Sequence, residues 1–258
     1  MNTSAGSVRH GVDLTRVLVS RDIRLKYRRS VLGMVWSQLA PLAQLVILSF
    51  VFSHVVKLGI PHYPVFLFVG LLPWFWFADS VVGSTGCVIT HRDLLRRPRF
   101  PNALLPPITI ATQLVYYVLA LPVLLIVVAA VTHRVPYTVV ALPLIVVAQF
   151  LVCLGPCFVL AAVNVRFRDM THLVAIAVVL LFYATPIFYQ RSSVPSRYQW
   201  LYAINPMAQL MDAYRAVFLG GHWPSWGILA LISLIGAALA VVGVAVYRRL
   251  EDQFYDDL

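Results

Sequence analysis

No charged side chain occurs between Val31 and Val56, and five more apolar runs of crossing length follow. At about 1.5 Å per helical residue, 35–56 covers about 33 Å, against a hydrocarbon core about 30 Å thick. The other runs are 64–84, 108–131, 139–163, 172–189 and 226–247. In lipid every backbone N–H and C=O must be satisfied within the protein, so such runs fold as helices. The expected fold class is therefore an all-α membrane protein with six transmembrane helices per protomer. Composition agrees: 12% of residues are charged and 60% hydrophobic, whereas a soluble domain carries about 25% charge. That is too little charge to wet a globule. Lys57 and Arg134 sit in the short connectors 57–63 and 132–138, where Pro61, Pro64 and Pro136 act as breakers. With no repeat of 20–50 residues, residues 1–258 read as one transmembrane domain and one protomer of an oligomer.

Orientation follows from where the basic residues fall. The arm 1–34 holds seven, joined on its side by Arg92, Arg96, Arg97, Arg99, Arg166, Arg168, Arg248 and Arg249. The opposite side holds Lys57, Arg134, Arg191, Arg197 and Arg215. Fifteen against five places both termini in the cytoplasm. The first 30 residues contain no apolar h-region, so no cleavable signal is expected. The excess of positive charge is read as a topology signal, and no nucleic-acid partner is expected.

The outer segment 190–225 breaks the pattern. YQWLYAINPMAQLM, residues 198–211, is uncharged, yet it is too short to span and Asn205-Pro206 interrupts any helix through it. Two short re-entrant or interfacial helices fit this composition better than a polar loop.

Several chemistries are missing. Lys26 and Lys57 are the only lysines, and neither belongs to a phosphate-cradling G-x-x-x-x-G-K-[ST] loop. Cys87, Cys153 and Cys157 lack the spaced partners of a zinc site and read as small apolar residues. Asp79 is the one acidic residue in the spans; near the end of 64–84 it is expected at the inner interface, poor material for an ion relay. No catalytic or metal site is expected, and no cofactor bound by this chain.

Aromatic residues supply the positive signal. They normally gather at the two interfaces. Here Trp74, Phe75, Trp76 and Phe77 begin about 15 Å into their span, and Tyr116 and Tyr117 lie similarly deep. Phe182, Tyr183, Phe188 and Tyr189 surround Thr185-Pro186. These rings either pack between helices or line a path for a ligand with sugar-like faces and hydroxyls.

Several segments, in order, resemble the type-2 ATP-binding-cassette permeases that export polysaccharides, the O-antigen, teichoic-acid and galactan exporters. They are RDIRLKYRRSVLGMVWSQLAPL at 21–42, GLLPWFWF at 70–77, RDLLRRPRFPNALLP at 92–106, FRD at 167–169, and ATPIFY followed by INP at 184–206. The resemblance implies six spans, an N-terminal interface helix and two short outer helices before the last span. It also implies a homodimer with a channel at its axis for a lipid-linked glycan, in the bacterial inner membrane. Two copies of a cytoplasmic ATPase subunit would carry the ATP and Mg. The ten aromatics would then be rungs along the channel, and His91, Arg92, Asp93, Arg96, Arg97 and Arg99 would form the coupling element that docks the ATPase. Without the resemblance the same basic loop reads as an anchor at lipid headgroups. Two alternatives stay open: the permease of a drug or small-lipid exporter, and an integral-membrane enzyme of lipid-linked sugar metabolism. One departure concerns the arm, whose apolar residues fall on two nearly opposite stripes, Leu14, Val17, Leu18 and Leu25 against Val19, Ile23 and Tyr27.

Overall fold

The computed structural model describes residues 3–26, 36–95, 100–133, 136–251 and 254, and among these every regular element is helical. In chain order they are α1 (Thr3–Lys26), α2 (Trp36–Phe50, continued by a π turn Val51–Val55) and α3 (Tyr63–Thr90). Then come α4 (Arg92–Leu95), α5 (Leu105–Thr132), α6 (Leu142–Arg166) and α7 (Met170–Ala184). A helical hairpin follows as α8 (Gln199–Ile204) and α9 (Pro206–Arg215, continued by a π turn Ala216–Gly220), before α10 (Trp226–Glu251). Prolines open α3, α5, α6 and α9, where a missing N–H costs nothing.

Four of these helices, α3, α5, α6 and α10, are long and apolar enough to cross a membrane; α2 with its π turn and α7 are shorter apolar helices. They share the work of burial unevenly. In its most apolar stretch α3 is 83% buried, against 22% for α10. A helix that is apolar on every side belongs inside a bundle, and α3 is the mast around which α2, α5, α6, α7 and α9 pack. α10 instead lies along α6 with small residues at the contact. A Cβ on Gly236 would meet the Leu151 carbonyl carbon at 2.9 Å, and one on Gly155 would meet the Leu239 backbone at 2.8 Å. Glycine lets the two backbones approach, and dispersion then holds them in an apolar solvent that supplies no hydrophobic drive.

A second apolar cluster closes one end of the bundle. It joins Leu18 of α1 to Val88, Leu94, Leu105, Phe158, Tyr247 and Phe254, so the N-terminal helix, the α3–α5 junction and the C-terminal end of α10 share that end. The two expected stripes of the arm resolve differently from the sequence pattern. Leu18 is buried and Leu14 and Val19 pack beside it, while Val17 is 62% exposed. The contact line thus runs Leu14, Leu18, Asp22, four residues apart, and Val17 points away from it.

Two expected boundaries are corrected. α7 stops at Ala184 rather than continuing to 189, because Pro186 disfavours helix at Thr185, which takes an extended conformation. α3 runs on to Thr90, so Asp79 lies about three turns before the helix end instead of at it, with its side chain on an exposed face.

Candidate functional site

The irregular segment 185–189 that follows α7 is held by side chains. Its carbonyls would be orphaned in a bundle interior. Instead the Arg215 guanidinium donates to the Ile187 carbonyl at 2.7 Å, and the Tyr63 hydroxyl donates to the Phe188 carbonyl at 2.9 Å. The Thr185 hydroxyl donates back to Leu181 and itself accepts from the Asn205 amide at 3.0 Å. Arg215 also lies 3.8 Å from the ring centre of Phe66, a cation–π contact. Gly70 leaves the room: a Cβ there would meet the Ile187 oxygen at 3.2 Å and Arg215 at 3.3 Å.

Asn205 makes the break in the hairpin as well as the tie to α7. Its side-chain oxygen accepts from the Met207 and Ala208 amides, capping α9 directly ahead of the helix-opening Pro206. Deeper in, the Tyr214 hydroxyl of α9 donates to Gln149 of α6 at 2.8 Å, and the Gln149 amide donates to the Pro73 carbonyl of α3 at 2.8 Å. One buried amide therefore fastens the hairpin to two helices. On the hairpin's open side Asp212 lies 3.5 Å from Arg191.

The ten aromatics named from the sequence divide into two sets. Trp74, Trp76, Phe77, Tyr116, Tyr117 and Phe182 are buried inside the protomer. Trp76 donates to the Ile110 carbonyl and stacks on Tyr117 at 5.3 Å, and Trp74 meets Phe182 edge-on at 5.7 Å. These rings fill the gaps between the mast and its neighbours. Phe75, Phe188 and Tyr189 are half-buried, and Tyr183 is 63% exposed. Tyr189 shares a hydrogen bond of 2.7 Å with Tyr202 and donates to the Tyr183 carbonyl at 3.2 Å. Phe75 begins a second exposed line on α3, continued four and eight residues on by Asp79 and Gly83.

At the opposite end, His91 closes α3. Its two ring nitrogens face the Cys87 carbonyl at 2.9 Å and the Asp22 carboxylate of α1 at 3.4 Å. Both partners are acceptors, so the arrangement is complete only for the imidazolium. The hydrogen bond to Asp22 accordingly raises the His91 pKa, against partial desolvation. Arg92 and Asp93 begin α4 on the exposed surface. Arg96, Arg97 and Arg99 lie outside the described residues. Among the described residues no His, Cys, Asp or Glu cluster could hold a metal. The three cysteines are buried and free.

The sequence reading named Asn205 only as a helix break and Arg215 only as a basic residue, and it missed Tyr63 and the Gln149–Tyr214 pair. Some signal was present: Gln149 is the single amide in the run 139–163, and Arg215 is a lone cation ending an apolar hairpin.

The profile of the ABC-2 type transporter family matches residues 13–219, from α1 through the α8–α9 hairpin. The chain belongs to that family. Its ABC-2 relatives match almost end to end. The O-antigen export system permease protein RfbA of Myxococcus xanthus is 34% identical over 243 residues, covering 93% of this chain and 94% of the relative. An RfbA permease of Klebsiella pneumoniae is 29% identical over 248 residues, 95% of each chain. The polysialic acid transport protein KpsM of Escherichia coli is 25% identical over 252 residues, covering 95% of this ABC-2 chain and 97% of KpsM.

Proposed function

We propose that this chain is the membrane subunit of an ATP-driven exporter that moves a lipid-linked polysaccharide outward across the bacterial inner membrane. The observation that carries the reading is its end-to-end similarity to permeases named for O-antigen export and polysaccharide transport. In this reading α2 with its π turn, α3, α5, α6, α7 and α10 are the six spans, both termini are cytoplasmic, and α8 and α9 re-enter the membrane from outside. Two protomers pair, and two copies of a separate ATPase supply nucleotide binding and hydrolysis. His91, Arg92 and Asp93, continued by Arg96, Arg97 and Arg99, dock that subunit.

The glycan path runs at the dimer axis, along α7 and the exposed line of α3. Three features support this placement. α7 has 15 residues, about 22 Å of helix, which is short of the hydrocarbon thickness. Its outer continuation is irregular backbone, tolerated at membrane depth only beside protein or a water-filled cavity. The exposed face of α3 carries the carboxylate Asp79, which would be costly against lipid. Tyr183, Phe188, Tyr189 and Phe75 are then the rungs, and the six buried rings form the wall behind them. Weak stacking contacts in series suit a polymer that must bind and leave repeatedly.

Alanine substitution separates the two sets. Trp76→Ala opens a core cavity and lowers stability by about 3–5 kcal/mol. Tyr183→Ala leaves folding nearly unchanged, slows the appearance of surface glycan and accumulates the lipid-linked precursor inside. Thermal stability of the purified permease and surface glycan are scored together. Unchanged export with Tyr183→Ala would remove Tyr183 from the path, and normal surface glycan in cells lacking the chain would overturn the export reading.

A further inference from the structure

A cavity of about 210 Å³ opens between α9, the loop 221–225 and the start of α10, apart from the irregular segment beside α7. Its lining includes Arg191, Gln209, Asp212, His222, Trp223 and Ser225 over an aliphatic floor from α10. We propose that it is an outer saccharide subsite, taking one neutral sugar residue of the emerging glycan. The proposal rests on the export reading and adds a glycan contact outside the axial path.

The chemistry of the lining selects that ligand. Trp223 is 47% exposed and is braced by Tyr137 edge-on at 5.8 Å and by Trp226 at 5.9 Å. A braced, partly open indole offers a platform to the C–H face of a pyranose. Around it stand a carboxylate, an amide, a hydroxyl, an imidazole and a guanidinium, flat or compact groups that hydrogen-bond sugar hydroxyls. Several are fixed beforehand. The Asp212 carboxylate is 3.5 Å from Arg191. Gln209 spends its amide on the Tyr202 carbonyl at 3.0 Å, leaving its oxygen as an acceptor. The His222 ring packs so closely on Gly220 that a Cβ there would lie 2.5 Å away.

Size and charge narrow the choice. At about 30 Å³ per water the cavity holds about seven waters, the room of one sugar ring and less than that of a drug-sized ligand. In the lining Asp212 offsets the charge of Arg191, which gives a phosphate or a sulfate little net attraction. A neutral hexose residue satisfies both conditions, and an anionic lipid headgroup gains nothing from the charge.

The test uses the full-length permease in nanodiscs and short, delipidated fragments of the producing cells' own surface glycan. The wild-type protein binds them weakly, with a change in tryptophan fluorescence and saturation in calorimetry. Asp212→Asn and Trp223→Ala each weaken binding about tenfold with the unfolding midpoint unchanged, and Trp223→Phe restores much of it. In cells both weakening variants slow export without abolishing it. Binding unaltered by Asp212→Asn and Trp223→Ala overturns the subsite. So does a Trp223→Ala effect confined to binding of anionic vesicles, which makes Trp223 an interfacial anchor. If Trp223→Ala does not fold, Asp212→Asn alone decides, since its side chain is 42% exposed and asparagine keeps its size. Loss of the subsite with export still dependent on the chain leaves the export reading intact, whereas normal export from cells lacking the chain fails that reading instead.

Discussion

Replacing Gln149 by leucine tests how the α8–α9 hairpin is held. Tyr214 and Gln149 are both 0% exposed, and their hydrogen bond of 2.8 Å links α9 to α6. Leucine matches glutamine in volume and belongs in an apolar helix, so the cost comes from the Tyr214 hydroxyl left without this acceptor and from the lost bond to the Pro73 carbonyl. Orphaning a buried neutral hydroxyl costs about 1–3 kcal/mol. Tyr214→Phe alone should cost less, because Gln149 keeps its second bond, to the Pro73 carbonyl. The double variant removes both ends of the contact and should be more stable than the sum of the singles. Hydrogen bonds between membrane helices couple by about 0.6 kcal/mol on average and up to about 1.7. A bond between two groups with no access to water belongs in the upper half of that range. Unfolding of the permease in mixed micelles, followed by tryptophan fluorescence for all four members of the cycle, measures the coupling. Additivity within about 0.3 kcal/mol would refute the claim that this bond fastens the hairpin.

The link between α1 and α3 should depend on pH. Because the folded His91 pKa is raised above its unfolded value, its stabilisation is complete below the ordinary histidine range and is lost as pH rises through the folded value. Protection of the α1 amides around Leu18 and Asp22, measured as exchange relative to the intrinsic base-catalysed rate, should therefore fall on the alkaline side, and His91→Gln should flatten that dependence; a protection profile that stays steep in the variant would rule His91 out. In the second contact, Gly236→Ala drives a methyl to 2.9 Å from the Leu151–Val152 backbone and should cost about 1–3 kcal/mol as α10 is pushed off α6. A neutral thermal midpoint for Gly236→Ala would show that the helices separate freely.

Much of the architecture was legible because its cause is local. A bilayer imposes length and charge rules on each segment separately, so apolar runs and basic loops can be read without knowing any neighbour. Asn205-Pro206 marked the hairpin break for the same reason: proline acts on its own backbone and on the residue before it. The end of α7 was misplaced although Pro186 was visible, because the apolar run continues through it to Tyr189 and hydropathy does not register backbone geometry.

The candidate site was legible in its residue types and not in their assignment. Trp74 and Tyr183 look alike as aromatics away from the ends of apolar runs, yet one is enclosed by the bundle and the other is exposed on α7. What separates them is that α3 is surrounded by five other elements and α7 is not, and burial of this kind is a property of neighbours. Arg215 makes the same point. By charge it counts as one more basic residue on the outer side, whereas its role depends on Phe66, Gly70 and Ile187, more than 25 positions away in sequence. The apolar character of each stretch and the break at Asn205-Pro206 were determined by the sequence alone, since solvent and proline act locally. Which ring is enclosed and which is surface, and which polar group fastens which helix, was decided only when the tertiary structure brought distant stretches together.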